Sequence, residues 1–182
     1  MFNIEQYYGK PSEPLPVEKA MLCNPHWGES YGYTHNCQRC VWVYELRRRG
    51  YDVIAKPKNA RSASKDPVDE LHEVRSVIKG GSWIKIPSDD RYNFIRSTLA
   101  KTGASRWIIW AKAEVNWHLF CVELLPSYLF GSGSLVWIEP QQNRRMDSNY
   151  LHDFRRTGMR MMRIDDKEFT YLIKWVGEKV EK

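Results

Sequence analysis

The distribution of apolar and polar positions changes along the chain, from irregular to helical and then to strand-like. Residues 1–30 contain four prolines and no sustained apolar period, which predicts an irregular N-terminal extension. From residue 37 onward, Val41 and Tyr44 fall on one helical face, and Gly50 follows as a residue that tolerates a left-handed C-terminal turn. The pattern predicts that the first long helix begins at residue 37 and that Gly50 ends it.

Three segments in the middle of the chain have the composition of strands: 106–112, 117–125 and 134–139. They are rich in β-branched and aromatic residues and are separated by Pro126 and by a Gly-Ser-Gly sequence. Consecutive short strands of this kind predict an antiparallel meander, and the helix from residue 37 is expected to pack against it. The predicted fold class is therefore α+β.

Helical patterns flank the predicted meander on both sides. Pro67 suits the first turn of a helix, and Ser88 is expected to cap another. The flanking elements that the pattern predicts are helices over 67–79, 88–103 and 147–157, a strand over 159–164 and an amphipathic C-terminal helix over 165–182.

The length of 182 residues fits a single domain, and 42% apolar and 13% aromatic residues exclude wholesale disorder. No signal peptide precedes the four cysteines, so we expect a reduced, cytoplasmic setting or delivery into a target cell by a specialised route. No apolar run is long enough to cross a bilayer, so no membrane partner is expected.

The net charge of +6 arises mainly from basic clusters at residues 47–49, 56–65 and 144–163. Such clusters attract nucleic acid or acidic proteins. They lack regular aromatic interleaving, so a solvated basic face is the simpler interpretation and nucleic acid is the less favoured partner.

The sequence Asn-Cys-Gln-Arg-Cys at residues 36–40 opens the first helix. We expect Asn36 to cap the helix with its side chain, which places Cys37 at the positive end of the helix dipole, where a thiolate is favoured. A nucleophile is one interpretation of Cys37, and a buried structural thiol is the simpler one. The spacing to Cys40 also permits a redox pair or a zinc site, but no βαβ pattern and no second close cysteine pair accompany it. No cofactor or metal is therefore expected.

His118 and Glu139 lie on two of the predicted strands, downstream of Cys37. The order cysteine, histidine, carboxylate suits a thiolate nucleophile, an imidazole base and a group that orients the imidazole. Gln141 is a further candidate for hydrogen bonding at the site. The alternative histidines are His26, His35, His72 and His152.

Together these segments resemble the papain-fold toxin family of the glutamine-deamidase type, a papain-like cysteine hydrolase domain of bacterial polymorphic toxins and phage-encoded proteins. The resemblance covers residues 31–168 and rests on residues 36–53, on His118-x-Phe120 and on Ile-Glu-Pro-Gln at 138–141. The family usually has Gly where this chain has Trp117, and Asp where it has Glu139. The resemblance implies a papain-like fold with Cys37 as nucleophile, His118 as base and Glu139 as the orienting residue. The oxyanion would then be stabilised by the backbone N–H of Cys37 with help from Asn36.

The implied activity is hydrolysis of a carboxamide or peptide bond, most directly the deamidation of glutamine side chains in a target protein. A cysteine protease and a transglutaminase use the same three residues. The implied partners are a protein substrate and an immunity or inhibitor protein. The alternative is a catalytically inactive papain-like scaffold that binds nucleic acid or protein through its basic surface, and the reactivity of Cys37 distinguishes the two.

Overall fold

The computed structural model describes residues 2–58, 71–103, 105–114, 116–126 and 133–180. Within them, six strands form one antiparallel sheet in the order β2-β7-β3-β4-β5-β6, and β1 pairs with β8 in a separate two-stranded sheet. The strands are β1 Val53–Ala55, β2 Ile84–Lys85, β3 Ser105–Lys112, β4 Trp117–Leu125, β5 Ser134–Glu139, β6 Arg144–Met146, β7 Arg160–Arg163 and β8 Gly177–Lys179.

The helices cover the two faces of the six-stranded sheet. They are α1 Glu5–Tyr8, α2 Val17–Ala20, α3 Tyr31–Thr34, α4 Cys37–Arg48 and α5 Arg91–Thr102, with 3₁₀ helices at Leu71–Val77, Ser148–Asp153 and Tyr171–Trp175. Alternate strand residues point to opposite faces. Ile108 and Leu119 therefore pack with α4, whereas Ile109 and Phe120 pack with α5. The chain is thus an α+β protein, and the predicted packing of the residue-37 helix on the meander is confirmed.

Two buried carboxylates fasten α4 to the sheet. Glu45 is fully buried and accepts hydrogen bonds from Arg49 and from Arg106 on β3, each with a shortest distance of 2.6 Å. Glu123 on β4 accepts from the Tyr44 hydroxyl at 2.6 Å. Buried carboxylates are stable only with such donors, so these pairs fix the helix along the sheet and determine where its first turn lies.

The N-terminal extension is more regular than expected and covers the outer side of α4. Its segments α1 and α2 are each a single helical turn, and α2 contacts α4 directly. As a result, residues 37–46 are buried on every side, and α4 lacks a solvated face. The prediction of a helix end at Gly50 is confirmed, since that glycine has a φ of 91° two residues after Arg48.

The predicted amphipathic helix over residues 165–182 is wrong. The segment forms the 3₁₀ helix Tyr171–Trp175 and then β8, which pairs antiparallel with β1. A Cβ on Gly177 would lie 2.8 Å from the Ile54 carbonyl oxygen, so only glycine permits this close approach to β1. The apolar residues still form a buried side, but β1 offers them a strand partner that the local pattern does not reveal.

Three other predictions need correction. The described part of the predicted 67–79 helix is the 3₁₀ helix Leu71–Val77, and its expected start at Pro67 lies outside the described residues. Helix α5 begins after Asp90, so Ser88 does not cap it. The predicted 147–157 helix is the shorter 3₁₀ helix Ser148–Asp153. No helix in the described part of the chain has the length and apolarity that crossing a membrane requires.

Candidate active site

Asn36 precedes α4 but does not cap it with its side chain, so this prediction is wrong. The residue is fully buried, and its Nδ2 donates to the Lys56 carbonyl oxygen at 3.0 Å. Its Oδ1 accepts from Cys40 Sγ and from Asn24 Nδ2, both at 3.3 Å. The side chain therefore ties the start of α4 to two neighbouring segments, and it does not line the groove beside Cys37.

Cys37 is the first residue of α4 and borders a groove of about 620 Å³. Its exposed fraction is 6%, whereas Cys40 is fully buried. Among the described residues, no acceptor takes the backbone N–H groups of Cys37 and Gln38, as expected for the first turn of a helix. Burial raises the pKa of the Cys40 thiol well above its ordinary value, so of these two cysteines Cys37 is the one placed for chemistry.

His118 lies near the start of β4 and contacts both other residues of the predicted triad. Its Nε2 donates to Glu139 Oε2 at 2.5 Å, and the ring lies beside Cys37 in the groove that both residues line. Burial lowers the pKa of His118, but the Glu139 carboxylate and the neighbouring Cys37 outweigh burial and raise it to about 10. At neutral pH the ring is therefore an imidazolium. Phe154 stacks on it with a centroid distance of 5.9 Å and an interplanar angle of 5°, which fixes the plane of the ring.

Glu139 is the last residue of β5 and is completely buried. Besides His118, it accepts from the Tyr150 hydroxyl at 2.5 Å and from the Gln141 backbone N–H at 3.1 Å. Burial and the Glu139 carboxylate both raise the pKa of Tyr150, so the phenol stays protonated and donates. Three donors thus hold one carboxylate in a single orientation.

The register of the sheet explains why these strands meet at the site. Cys121 on β4 lies opposite Ile138 on β5, so His118 and Glu139 stand near the same end of neighbouring strands. Their side chains point to the sheet face that Phe120 occupies, where Phe154 and Tyr150 pack. The N-terminus of α4 reaches this end of the sheet and supplies Cys37.

A buried amide network joins the remaining parts of the site. Asn24 Nδ2 donates to the Gln141 carbonyl oxygen at 2.8 Å, and Asn143 Nδ2 donates to the Asn24 carbonyl oxygen at 2.6 Å. Gln141 lines the groove, and its side chain lies 3.5 Å from Asn36 Oδ1. The loop after Glu139 is therefore held against the start of α4 by hydrogen bonds and not by apolar packing.

The structure adds residues to the site that the sequence patterns do not single out. The Gln38 side chain lines the groove and lies against Cys37, whose Sγ donates to Gln38 Oε1 at 3.5 Å. Its place beside Cys37 is the one signal that the sequence offers. Tyr150 and Asn24 carry no such signal, because they reach the site only through tertiary structure.

The alternative histidines have different surroundings. His35 lines the groove, and its ring stacks on Tyr31 at 3.9 Å. His26 pairs with Glu29, and His152 borders a separate cavity. The side chain of His72 lies outside the described residues.

The described residues include all four cysteines, and Cys37 and Cys40 lie one helical turn apart on α4. No cluster of three or more His, Cys, Asp and Glu side chains in the described part of the chain has the arrangement of a metal site, and all four cysteines are free thiols. Comparison with protein-family models, with curated proteins and with solved structures finds no significant match to this chain.

Proposed function

We propose that this chain is a cysteine-dependent hydrolase of the papain-like kind, which acts on carboxamide or peptide bonds and deamidates glutamine side chains of a protein substrate. The observation that carries the proposal is the His118–Glu139 hydrogen bond beside Cys37, in an open groove that Cys37 and His118 both line. A buried carboxylate, an oriented imidazole and a thiol in that order are the parts that nucleophilic acyl chemistry requires.

The proposed nucleophile is the Cys37 thiolate. Two features of the structure support this role: Cys37 lies at the positive end of the α4 dipole, and the His118 ring lies beside it with its second nitrogen not bonded to Glu139. Because Tyr150 and the Gln141 backbone also hold Glu139, the imidazole keeps one orientation while its proton moves.

The proposed oxyanion donors are the free backbone N–H of Cys37 and the carboxamide of Gln38. The Gln38 carboxamide accepts from Cys37 Sγ through Oε1 at 3.5 Å, and its Nε2, which has no acceptor among the described residues, is the group that would donate to the oxyanion. Donors that are fixed before the reaction stabilise the negative charge that develops on the carbonyl oxygen. Gln38 replaces Asn36 in this role, because the Asn36 amide is committed to buried partners.

The steps follow from these roles. The Cys37 sulfur forms a bond to the carboxamide carbon, and His118 gives its proton to the nitrogen, which leaves as ammonia when the C–N bond breaks. His118 then takes a proton from water, whose oxygen attacks the thioester carbon, and the C–S bond breaks to return Cys37. The net reaction converts a carboxamide and water into a carboxylic acid and ammonia.

The test uses the full chain with benzyloxycarbonyl-Gln-Gly and with casein as glutamine-containing substrates. Deamidation is expected to release ammonia and to raise the substrate mass by about one dalton, as NH₂ is replaced by OH. New peptide termini would indicate proteolysis instead, and incorporation of dansylcadaverine would indicate amine transfer. Cys37→Ala is expected to abolish the reaction, whereas Cys121→Ala, a matched change at a buried thiol, is expected to leave it.

The absence of all three products with the wild-type chain would overturn the proposal and favour a binding scaffold. Full turnover by Cys37→Ala would show that another residue is the nucleophile. Iodoacetamide labelling offers a substrate-free check, because an imidazolium-paired thiolate alkylates below the pH at which ordinary thiols react.

A further inference from the structure

Three tryptophans form a continuous row that begins at the groove and continues across one end of the sheet. Trp117, which precedes His118 and lines the groove, lies 4.9 Å from Trp110 on β3 between ring centroids. Trp110 lies 5.5 Å from Trp83, which precedes β2. All three side chains are half-buried, so the row is partly open to solvent. We call these three residues the tryptophan row.

Two cations flank the tryptophan row without a carboxylate partner among the described residues. The Lys112 ammonium lies 5.6 Å from the Trp117 ring centroid, and the Arg160 guanidinium lies 5.3 Å from that of Trp110. The strand register places Lys112 opposite Trp117 and Arg160 opposite Trp110, so rings and cations alternate on one face. Arg106 on the same strand as Lys112 differs from these two cations, because its guanidinium forms an ion pair with Glu45.

The groove carries the same charge as the row. Lys58 and Arg144 line it, and neither makes an ion pair with a described carboxylate. Asp153 is the one acidic residue among its described lining residues. Cations that no described carboxylate neutralises contribute a positive potential over the groove and the row, which attracts an anionic ligand.

We propose that the tryptophan row with Lys112 and Arg160 is the substrate-binding surface, and that it selects an acidic polypeptide segment with an aromatic or large apolar residue near the target glutamine. The inference rests on the proposed function, because it names the substrate class of the same groove. The carboxylates of the segment pair with Lys112 and Arg160, and its apolar side chain packs on the exposed faces of the row.

The geometry favours a polypeptide over a single-stranded nucleic acid. Successive rings in the row are tilted by 55° and 54°, whereas bases that stack in series need nearly parallel aromatic faces. The row also leads directly to a cysteine site whose chemistry acts on acyl carbons.

The test measures binding by the Cys37→Ala variant, which holds a substrate without turning it over. The probes are two fluorescein-labelled peptides with one glutamine and one phenylalanine each, one flanked by glutamates and the other by lysines. Fluorescence anisotropy is expected to show tighter binding of the glutamate peptide, with an affinity that falls as salt is added. Charge reversal at both Lys112 and Arg160 is expected to weaken that binding about tenfold or more.

Control variants distinguish binding at the tryptophan row from nonspecific attraction by the protein's net charge and from loss of the folded structure. Lys101→Glu reverses an exposed cation on α5, at the opposite face of the sheet, and is expected to leave the affinity within about twofold. Trp117→Ala is expected to weaken binding of the phenylalanine peptide but not of a version with alanine in its place. Thermal unfolding of each variant establishes that the fold is intact.

The outcomes distinguish this inference from the proposed function. Equal affinity for the two peptides, or loss of binding with Lys101→Glu alone, would overturn the inference even if the wild type deamidates glutamine. Selective binding of the glutamate peptide through Lys112 and Arg160 would uphold it even if no ammonia is released. Displacement of that peptide by an oligothymidine at equal concentration would overturn the choice of a polypeptide ligand.

Discussion

Glu139→Gln is expected to uncouple His118 from Cys37 without removing either residue. The substitution preserves the size of the side chain but replaces a carboxylate oxygen with an NH₂ group. Two side-chain donors, His118 Nε2 and the Tyr150 hydroxyl, meet on one oxygen of this fully buried group. An amide lacks the negative charge in either orientation, and in one of them its NH₂ group also faces the two donors.

The size of the expected effect on turnover follows from the pKa of His118. The surroundings raise it from 6.5 to about 10, with Glu139 the largest favourable cause. At about 1.36 kcal/mol per tenfold change in proton affinity, this is an interaction of a few kcal/mol. Without the carboxylate, we expect the pKa to fall toward its ordinary value, so the ring is mostly neutral at pH 7 and no longer stabilises the thiolate. Turnover is expected to fall by about 10²- to 10⁴-fold.

The assay follows iodoacetamide alkylation of Cys37 from pH 5 to 10 by peptide mass spectrometry, alongside ammonia release. In the wild type, alkylation is expected to persist at the acidic end of the range, and in Glu139→Gln it is expected to follow an ordinary thiol. Glu123→Gln is the matched control, since Glu123 is also buried and accepts from a tyrosine hydroxyl. It is expected to lower stability and to leave the alkylation profile unchanged.

An unchanged alkylation profile and turnover in a folded Glu139→Gln variant would refute the reasoning, because the carboxylate would then not control the imidazole. Glu139→Asp provides a second comparison if the glutamine variant does not fold. It retains the charge, so it is expected to keep a larger part of the activity than Glu139→Gln. Equal loss with the two substitutions would show that geometry, and not charge, makes Glu139 necessary.

Tyr150→Phe is expected to lower turnover about tenfold and the free energy of unfolding by about 1 kcal/mol in urea, because Glu139 loses one donor; wild-type turnover would contradict this. Cys40→Ala is expected to cost about 1 kcal/mol or somewhat more in thermal unfolding while Cys37 still alkylates at the wild-type rate. A folded variant without alkylation would contradict that assignment. The contribution of His118 to the free energy of unfolding is expected to be fully present just below about pH 6.5 and to be lost as pH rises toward about 10, because folding raises the pKa of His118. Urea titrations across this range that show no decrease would argue against the His118–Glu139 pair.

The local sequence determined the helix and the strands that are formed mainly by residues close to one another in the chain. The start of α4 at Cys37, its end before Gly50 and the three central strands match the predictions to within one residue. Period and composition suffice there, because a helix or strand of this length buries one continuous set of side chains. The order of Cys37, His118 and Glu139 along the chain was also readable, and with it the hypothesis of a triad.

Tertiary structure decided what depends on distant partners. The C-terminal segment has the apolar period of a helix, but its pairing with β1, more than a hundred residues away, makes its end a strand. Asn36 has the identity of a cap, yet a buried Asn24 and the Lys56 carbonyl compete for its side chain and prevail. Local propensities differ by about 1 kcal/mol or less per residue, so a single buried hydrogen bond or strand pairing reverses them.

The candidate active site also combines features that are local in the sequence with features that only tertiary contacts create. The sequence determined which residue types were present for acyl chemistry, since a cysteine at a helix start, a strand histidine and a strand-end carboxylate are local features. Only the fold brought Tyr150 onto Glu139 and the N-terminus of α4 to the start of β4. Those contacts join residues far apart in the chain. Their stability comes from burial and from shared hydrogen bonds, which exist only after the sheet register has been set.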